Sequence, residues 1–285
     1  MDISEVEFNN LKLLAANVTP SRYLFNPSDV AKLISWQIVM ADNSVRDILF
    51  AEIGSGGNFK SVGSSIRFNA KSMPISGFQD FDVETLKFKV ADSNKYEIVF
   101  TPEDVENLAC QPRIVYKLSE LYFHLEIAVT NRSGMPIYWR PEIHFFVTLP
   151  WTDETPLEKY IVKSVAKKRL RMADDLSIIS STKSSEKIPL DALENGTFGL
   201  TQLSDSKIWI GTSNEEEGIS FIFGNKTPKS VFVMRKTATA NKVEAAFLSD
   251  LPSATDGTVS NGDMQNYMAI APNRTGSFSA EISAY

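Results

Sequence analysis

Two histidines, His124 and His144, and one cysteine, Cys110, are the strongest nucleophiles and proton carriers that this sequence offers. His144 lies in the run PEIHFFVTL, where alternation would put Glu142, His144, Phe146 and Thr148 on one face of an extended strand. A carboxylate beside an imidazole that titrates near neutral pH can share general acid–base work. An aromatic ring on the same face suits a pocket that packs apolar surface and fixes polar groups. The alternative is a histidine that only hydrogen-bonds inside the protein. His124 alternates with an apolar face and neighbours Glu126, so it reads as exposed or lightly paired rather than catalytic. A lone Cys110 excludes an internal disulfide and a multi-cysteine zinc site, and two histidines twenty residues apart leave no four-ligand set, so neither metal nor cofactor is expected.

The elements that must hold these groups are strands. Leu121, Phe123, Leu125, Ile127 and Val129 alternate with polar or small residues. Similar runs occupy 64–70, 84–90, 95–101, 207–213, 218–224, 230–235, 242–248, 265–271 and 276–284, with turn residues between them. Helical signals are confined to 102–109, which opens on Pro and acids, and to 189–194. Strand–helix–strand alternation and internal repeats are both missing. The expectation is an all-β protein, a large antiparallel two-sheet β-sandwich, with residues 1–285 as a single domain.

Composition narrows the partners. The net charge of −6 gives no pull toward nucleic acid, and no stretch is apolar enough for a membrane helix. The acidic start MDISEVEFNN is unlike a secretory signal, so a cytoplasmic location is expected. The basic run Lys163 to Arg171 reads as a solvated strand edge blunted by lysines rather than an anion site. Phosphate-binding glycine loops and Gly-x-Ser-x-Gly elbows do not occur, and nothing in the sequence sets the oligomeric state.

The block 121–151, LYFHLEIAVTNRSGMPIYWRPEIHFFVTLPW, resembles the aldose 1-epimerase (galactose mutarotase-like) family through Val129, Asn131, Pro136, His144 with Phe145 and Phe146, Leu149 and Pro150. MPISGFQDFDVETLKF at 73–88 and APNRTGSFSAEISAY at 271–285 are similar to two further family segments, so the resemblance runs from about residue 64 onward. It implies the galactose mutarotase-like supersandwich, a small-molecule carbohydrate as partner, and interconversion of sugar anomers by a carboxylate base and a histidine acid. His144 falls on the catalytic histidine. The second histidine falls on Ser76, the arginine on Asp80, the sugar-holding aspartate on Asn195, and the base on Ala246, with Glu244 two residues away on the same strand face. Glu244 is therefore the candidate displaced base, although two residues along a strand is ~6.5 Å, more than a hydrogen bond absorbs without a bulge. Glu142, Arg67 and Trp151 are candidate sugar contacts. An anion at Asp80 disfavours a sugar phosphate. With base, second histidine and aspartate replaced, mutarotation of glucose and galactose should be weak or absent, leaving a non-catalytic carbohydrate-binding protein on the same fold as the alternative. His144 is expected in a concave pocket, near the middle of a large sheet.

Overall fold

The computed structural model describes residues 1–53, 59–61, 63–68, 71–72, 83, 86–105, 108–149, 157–225, 229–237, 242–250 and 268–285. It is nearly all β, and every strand pairing in it is antiparallel. The Glu142–Thr148 strand lies inside a sheet: Lys242–Leu248 flanks it on one side, Ser64–Arg67 and Val45–Leu49 on the other. From Lys242–Leu248 the ladder continues through Val231–Lys236 to Thr197–Thr212.

Thr197–Thr212, sixteen residues long, belongs to both sheets. Its first part pairs with Val231–Lys236, and its second part pairs with Gly218–Gly224. That strand leads on to Thr275–Ala284, Tyr122–Asn131, Cys110–Leu118, Glu97–Pro102 and Phe88–Ser93. The ladder thus folds back on itself, and the apolar faces of its two halves meet. Ile143, Phe145 and Val147 of the histidine strand point inward, and the Phe145 ring packs on Phe123 and Phe221 of the facing sheet at 6.3 and 5.8 Å. Phe247 lies between Phe223 and Phe278, its ring centre 3.8 and 5.0 Å from theirs. Period-two alternation leaves Glu142, His144, Glu244 and Ala246 on the opposite face, away from this core.

Asn131 explains the turn that follows its strand. Fully buried, its amide donates to the carbonyls of Met135 and Ile270 at 2.7 and 2.8 Å and accepts from the backbone and hydroxyl of Ser133. It ties the turn to the Met268–Ile270 strand, and its role is structural.

Three expectations require correction. The described residues of 102–109, namely 102–105 and 108–109, are not helical: Pro102 ends the Glu97–Pro102 strand, and Cys110 begins the next. Glu103 and Asp104 sit instead in the connection between those strands. The run 163–171 is a strand but not an edge. Tyr160–Met172 pairs with Thr197–Thr212 on one side and with Lys187–Pro189 and Ile178–Lys183 on the other. The fully exposed Ile178–Lys183 is the outer strand there. Thirdly, five strands between Asp2 and Leu49 lie outside the runs identified above. Leu11–Val18 shows why: consecutive Leu13 and Leu14 are both buried, so the strand lacks clean alternation. The 189–194 signal does form a short 3-10 helix, Leu190–Asn195.

Candidate functional site

The site grows from three adjacent strands in register. His144 stands opposite Ala246, which stands opposite Val233; one step along, Phe146, Glu244 and Arg235 form the next row. Glu244 is therefore the diagonal neighbour of His144. Its Oε1 reaches His144 Nδ1 at 2.7 Å, with no bulge in the pairing. The expected two-residue offset is real, yet diagonal side chains across an antiparallel pair lie close enough for long residues to meet.

The other ring nitrogen, Nε2, lies 3.2 Å from Glu142 Oε2. Arg235 Nε donates to the second oxygen of Glu244, and Arg140 Nε is 3.8 Å from Glu142 Oε1. Cations and carboxylates alternate along the array Arg140, Glu142, His144, Glu244, Arg235. Glu142, His144 and Glu244 are 4, 7 and 5% exposed, so charge on any of them needs its partners. Carboxylates only accept, so an imidazole contacted by one at each nitrogen satisfies both when doubly protonated.

Burial by itself drives His144 toward the neutral form, but the hydrogen bonds it donates to Glu142 and Glu244 outweigh it and hold its pKa above 6.5. For Glu244, burial favours the neutral acid, yet His144 and Arg235 outweigh it and hold the carboxyl below 4.5. The raised histidine contributes stability below pH 6.5 that is lost as pH climbs through its folded pKa. The lowered carboxyl contributes stability above pH 4.5 that is lost as pH falls. Melting temperature should accordingly be highest between these values, 4.5 and 6.5, and decline on both sides. Thermal melts from pH 4 to 9 check this: a Glu244→Gln variant should show a shallower alkaline decline, and parallel profiles for the two proteins would contradict the assignment.

Arg67, His144, Val233, Arg235, Glu244 and Ala246 line a cleft of about 280 Å³, closed on another side by Asp174, Asp175 and Leu176. Those three come from the turn between Tyr160–Met172 and Ile178–Lys183. Leu176 adopts a left-handed φ of 66° and packs on the apolar patch of Leu170, Met172, Val231, Val233, Ala246 and Leu248. Within that patch Met172 and Val231 pack close over Gly199, where a Cβ would meet Met172 Sδ at 2.8 Å and Val231 Cγ1 at 3.1 Å. Ser177 hydrogen-bonds Asp175 through its backbone N–H at 2.9 Å, and its hydroxyl and backbone hold that carboxyl below the usual range. Among the described residues no hydrogen bond or ion pair engages Asp174.

Of the residues singled out in the sequence, His144, Glu142, Glu244 and Arg67 come together here, Arg67 standing opposite Glu142 in the pairing. Asn195 ends the Leu190–Asn195 helix, exposed, and is not among the described residues lining the cleft. Ser76, Asp80 and Trp151 lie outside the described residues. His124 is half-buried in the facing sheet, where burial first and Lys117 second lower its pKa. Burial pushes the Cys110 thiol up to about 12, which leaves it inert. Sequence reading missed Arg235, Arg140 and Asp174. Strand alternation could have put Arg235 on the polar face, but nothing in the sequence links it to Glu244. Among the described residues, no cluster of three His, Cys, Asp or Glu side chains could hold a metal, and no helix is long and apolar enough to cross a membrane.

No family model matches the sequence, and no curated protein matches it. Solved structures do match the fold. A galactose mutarotase related enzyme from Lactobacillus acidophilus superposes with a TM-score of 0.72 at 14% identity, covering 96% of this chain and 97% of that one. A galactose mutarotase-like protein from Lactobacillus casei gives 0.72 at 11% identity, over 96% of this chain and 100% of that one. An aldose epimerase homologue from C. elegans gives 0.63 at 11% identity, over 100% and 99%. The chain has the galactose mutarotase-like fold.

Proposed function

On that fold, we propose that the His144 cleft binds a single aldose ring and interconverts its anomers, with His144 as general acid. What carries this reading is an imidazole held between two carboxylates and lining a cleft. At 3.2 Å the Nε2 contact with Glu142 is long for a charge-assisted bond, and the Nδ1 contact at 2.7 Å is short. Nε2 is then the nitrogen that a sugar oxygen can win from Glu142, while Glu244, held by Arg235, fixes the ring through Nδ1. Glu244 serves as the displaced carboxylate by orienting the acid, since its two oxygens are already committed.

The base is assigned to Asp174, which also lines the cleft and whose carboxylate no hydrogen bond or ion pair engages among the described residues. In this scheme Asp174 takes the proton from the anomeric hydroxyl, His144 Nε2 protonates the ring oxygen, the bond from C1 to the ring oxygen breaks, and the aldehyde forms. Rotation about C1–C2 and the reverse transfers close the other anomer. Arg67 and Arg235 supply donors to the hydroxyls, and the apolar floor of Val233 and Ala246 meets the C–H face of the ring. The proposed partner is a small carbohydrate, and the proposed reaction draws on side chains alone.

One observation favours a second reading, sugar binding without catalysis: both nitrogens of His144 are engaged before any ligand arrives. Polarimetry on freshly dissolved α-glucose and α-galactose separates the two. A catalytic site should accelerate mutarotation over buffer, and Asp174→Asn should reduce the acceleration by at least ~10²-fold. Acceleration that survives Asp174→Asn but fails in Glu244→Gln would return the base role to Glu244. Binding of an aldose by calorimetry without any acceleration would establish the second reading.

A further inference from the structure

A larger cleft, about 490 Å³, lies on the outward side of the facing sheet, between Tyr160–Met172 and the second part of Thr197–Thr212. Nine residues separate Lys163 on its wall from Met172 beside the His144 cleft, roughly 30 Å of extended strand, so the two clefts are separate sites. Its lining includes Lys163, Glu186, Asp205, Lys207, Trp209 and Glu216, with Tyr285 at one side.

Trp209 is held flat by the backbone beneath it. Gly211 and Gly218 face each other in the pairing. A Cβ on Gly218 would lie 2.6 Å from Trp209 Cε2 and Cζ2, and one on Gly211 2.5 Å from Cζ2. Only a pair of glycines lets the indole rest against the strands in this way. One ring face is covered by the sheet, while the half-buried residue still lines the cleft. The result is a preset aromatic platform, rigid before any ligand binds.

The polar rim decides what such a platform can hold. Two lysines stand against four carboxylates, Glu186, Asp205, Glu215 and Glu216, which disfavours phosphates, nucleic acid and acidic sugars. A cationic ligand fits poorly as well. Lys207 Nζ already stands 6.0 Å over the Tyr285 ring, and Glu215 is taken by Lys163 and Lys187 at 2.9 and 2.7 Å. Glu216 accepts from the Asn214 amide at 2.7 Å and Asp205 from the Lys207 backbone at 3.1 Å, which leaves each of these two one oxygen for a hydroxyl. Carboxylate acceptors and ammonium donors around a flat apolar floor match a neutral ring with an apolar face and a hydroxyl rim.

We propose that the Trp209 cleft is a second binding site, taking a short neutral oligosaccharide stacked on the indole and hydrogen-bonded by Asp205, Lys207 and Glu216. It does not depend on what the His144 cleft does.

Maltotriose and cellotriose are the probes, titrated by calorimetry and by tryptophan fluorescence. Trp36 and Trp139 are fully buried and Trp151 lies outside the described residues, so loss of the fluorescence change in Trp209→Phe is what assigns the signal to Trp209. One trisaccharide should bind, Trp209→Phe should weaken it by roughly tenfold and remove the fluorescence change, and the exposed Lys207→Ala, which leaves the platform intact, should weaken it several-fold. Asp174→Asn should leave this titration unchanged whatever it does to mutarotation. Absence of binding by either trisaccharide at ~10 mM overturns the proposal. So does an affinity unaffected by Trp209→Phe and Lys207→Ala, or one lost in Asp174→Asn, which would move the ligand to the other cleft.

Discussion

Replacing His144 with alanine is expected to cost about 3–5 kcal/mol below pH 6.5, where the imidazole is the cation shared by two buried carboxylates. Glu142 and Glu244, 4 and 5% exposed, would then face each other across a cavity, each keeping only its arginine. At roughly 2–4 °C per kcal/mol for a domain of this size, the melting temperature should fall by about 6–20 °C. A solvated surface histidine would cost ~0.5 kcal/mol or less, so the measurement separates the two descriptions. Adding Glu244→Gln to His144→Ala should give back ~1 kcal/mol, since it removes one of the two stranded charges. Denaturant titration of the two single variants and the double variant supplies the cycle. A cost for His144→Ala below ~1 kcal/mol, or strict additivity in the cycle, would mean that the array is far better hydrated than its burial implies.

Phe247→Ala is expected to cost about 3–5 kcal/mol, the range for deleting a buried aromatic ring. Phe247 is fully buried between Phe223 and Phe278, which belong to the facing sheet, so its ring joins the two halves of the sandwich. The same strand carries Glu244 on its other face. The lost packing should therefore also loosen the pairing that puts Glu244 beside His144. Chemical denaturation should show a lower midpoint with an unchanged slope, and Phe247→Leu, which keeps most of the volume, should lose only ~1–1.5 kcal/mol. A loss for Phe247→Ala under ~2 kcal/mol would mean that the neighbouring phenylalanines collapse into the space.

Along Leu121–Val129 and Val243–Leu248 every second residue is apolar, and burying that face against a second sheet satisfies the pattern, so sandwich architecture was legible in the sequence. The same period placed Glu142 with His144 and Glu244 with Ala246, because face is a local property of an extended chain. The early strands from Asp2 to Leu49 were not legible. In Leu11–Val18, for instance, the neighbours Leu13 and Leu14 are both buried while Lys12 and Asn17, on opposite faces, are both exposed, so burial does not follow a period of two.

Across strands, residue alternation determined nothing, and only the family resemblance linked Glu244 to His144. His144 and Glu244 are a hundred residues apart, and only the register between Glu142–Thr148 and Lys242–Leu248 makes them diagonal neighbours. A one-residue slip would have put Glu244 in the phenylalanine core. Arg235 and Asp174 entered the site by the same route, one from the next strand and the other from a turn seated by Leu176. Residue type and face are written in the local chain, because sterics fix the direction of each side chain. Which charges become partners was decided by the tertiary structure, through long-range pairing that buries one apolar face and carries the polar face into register with it.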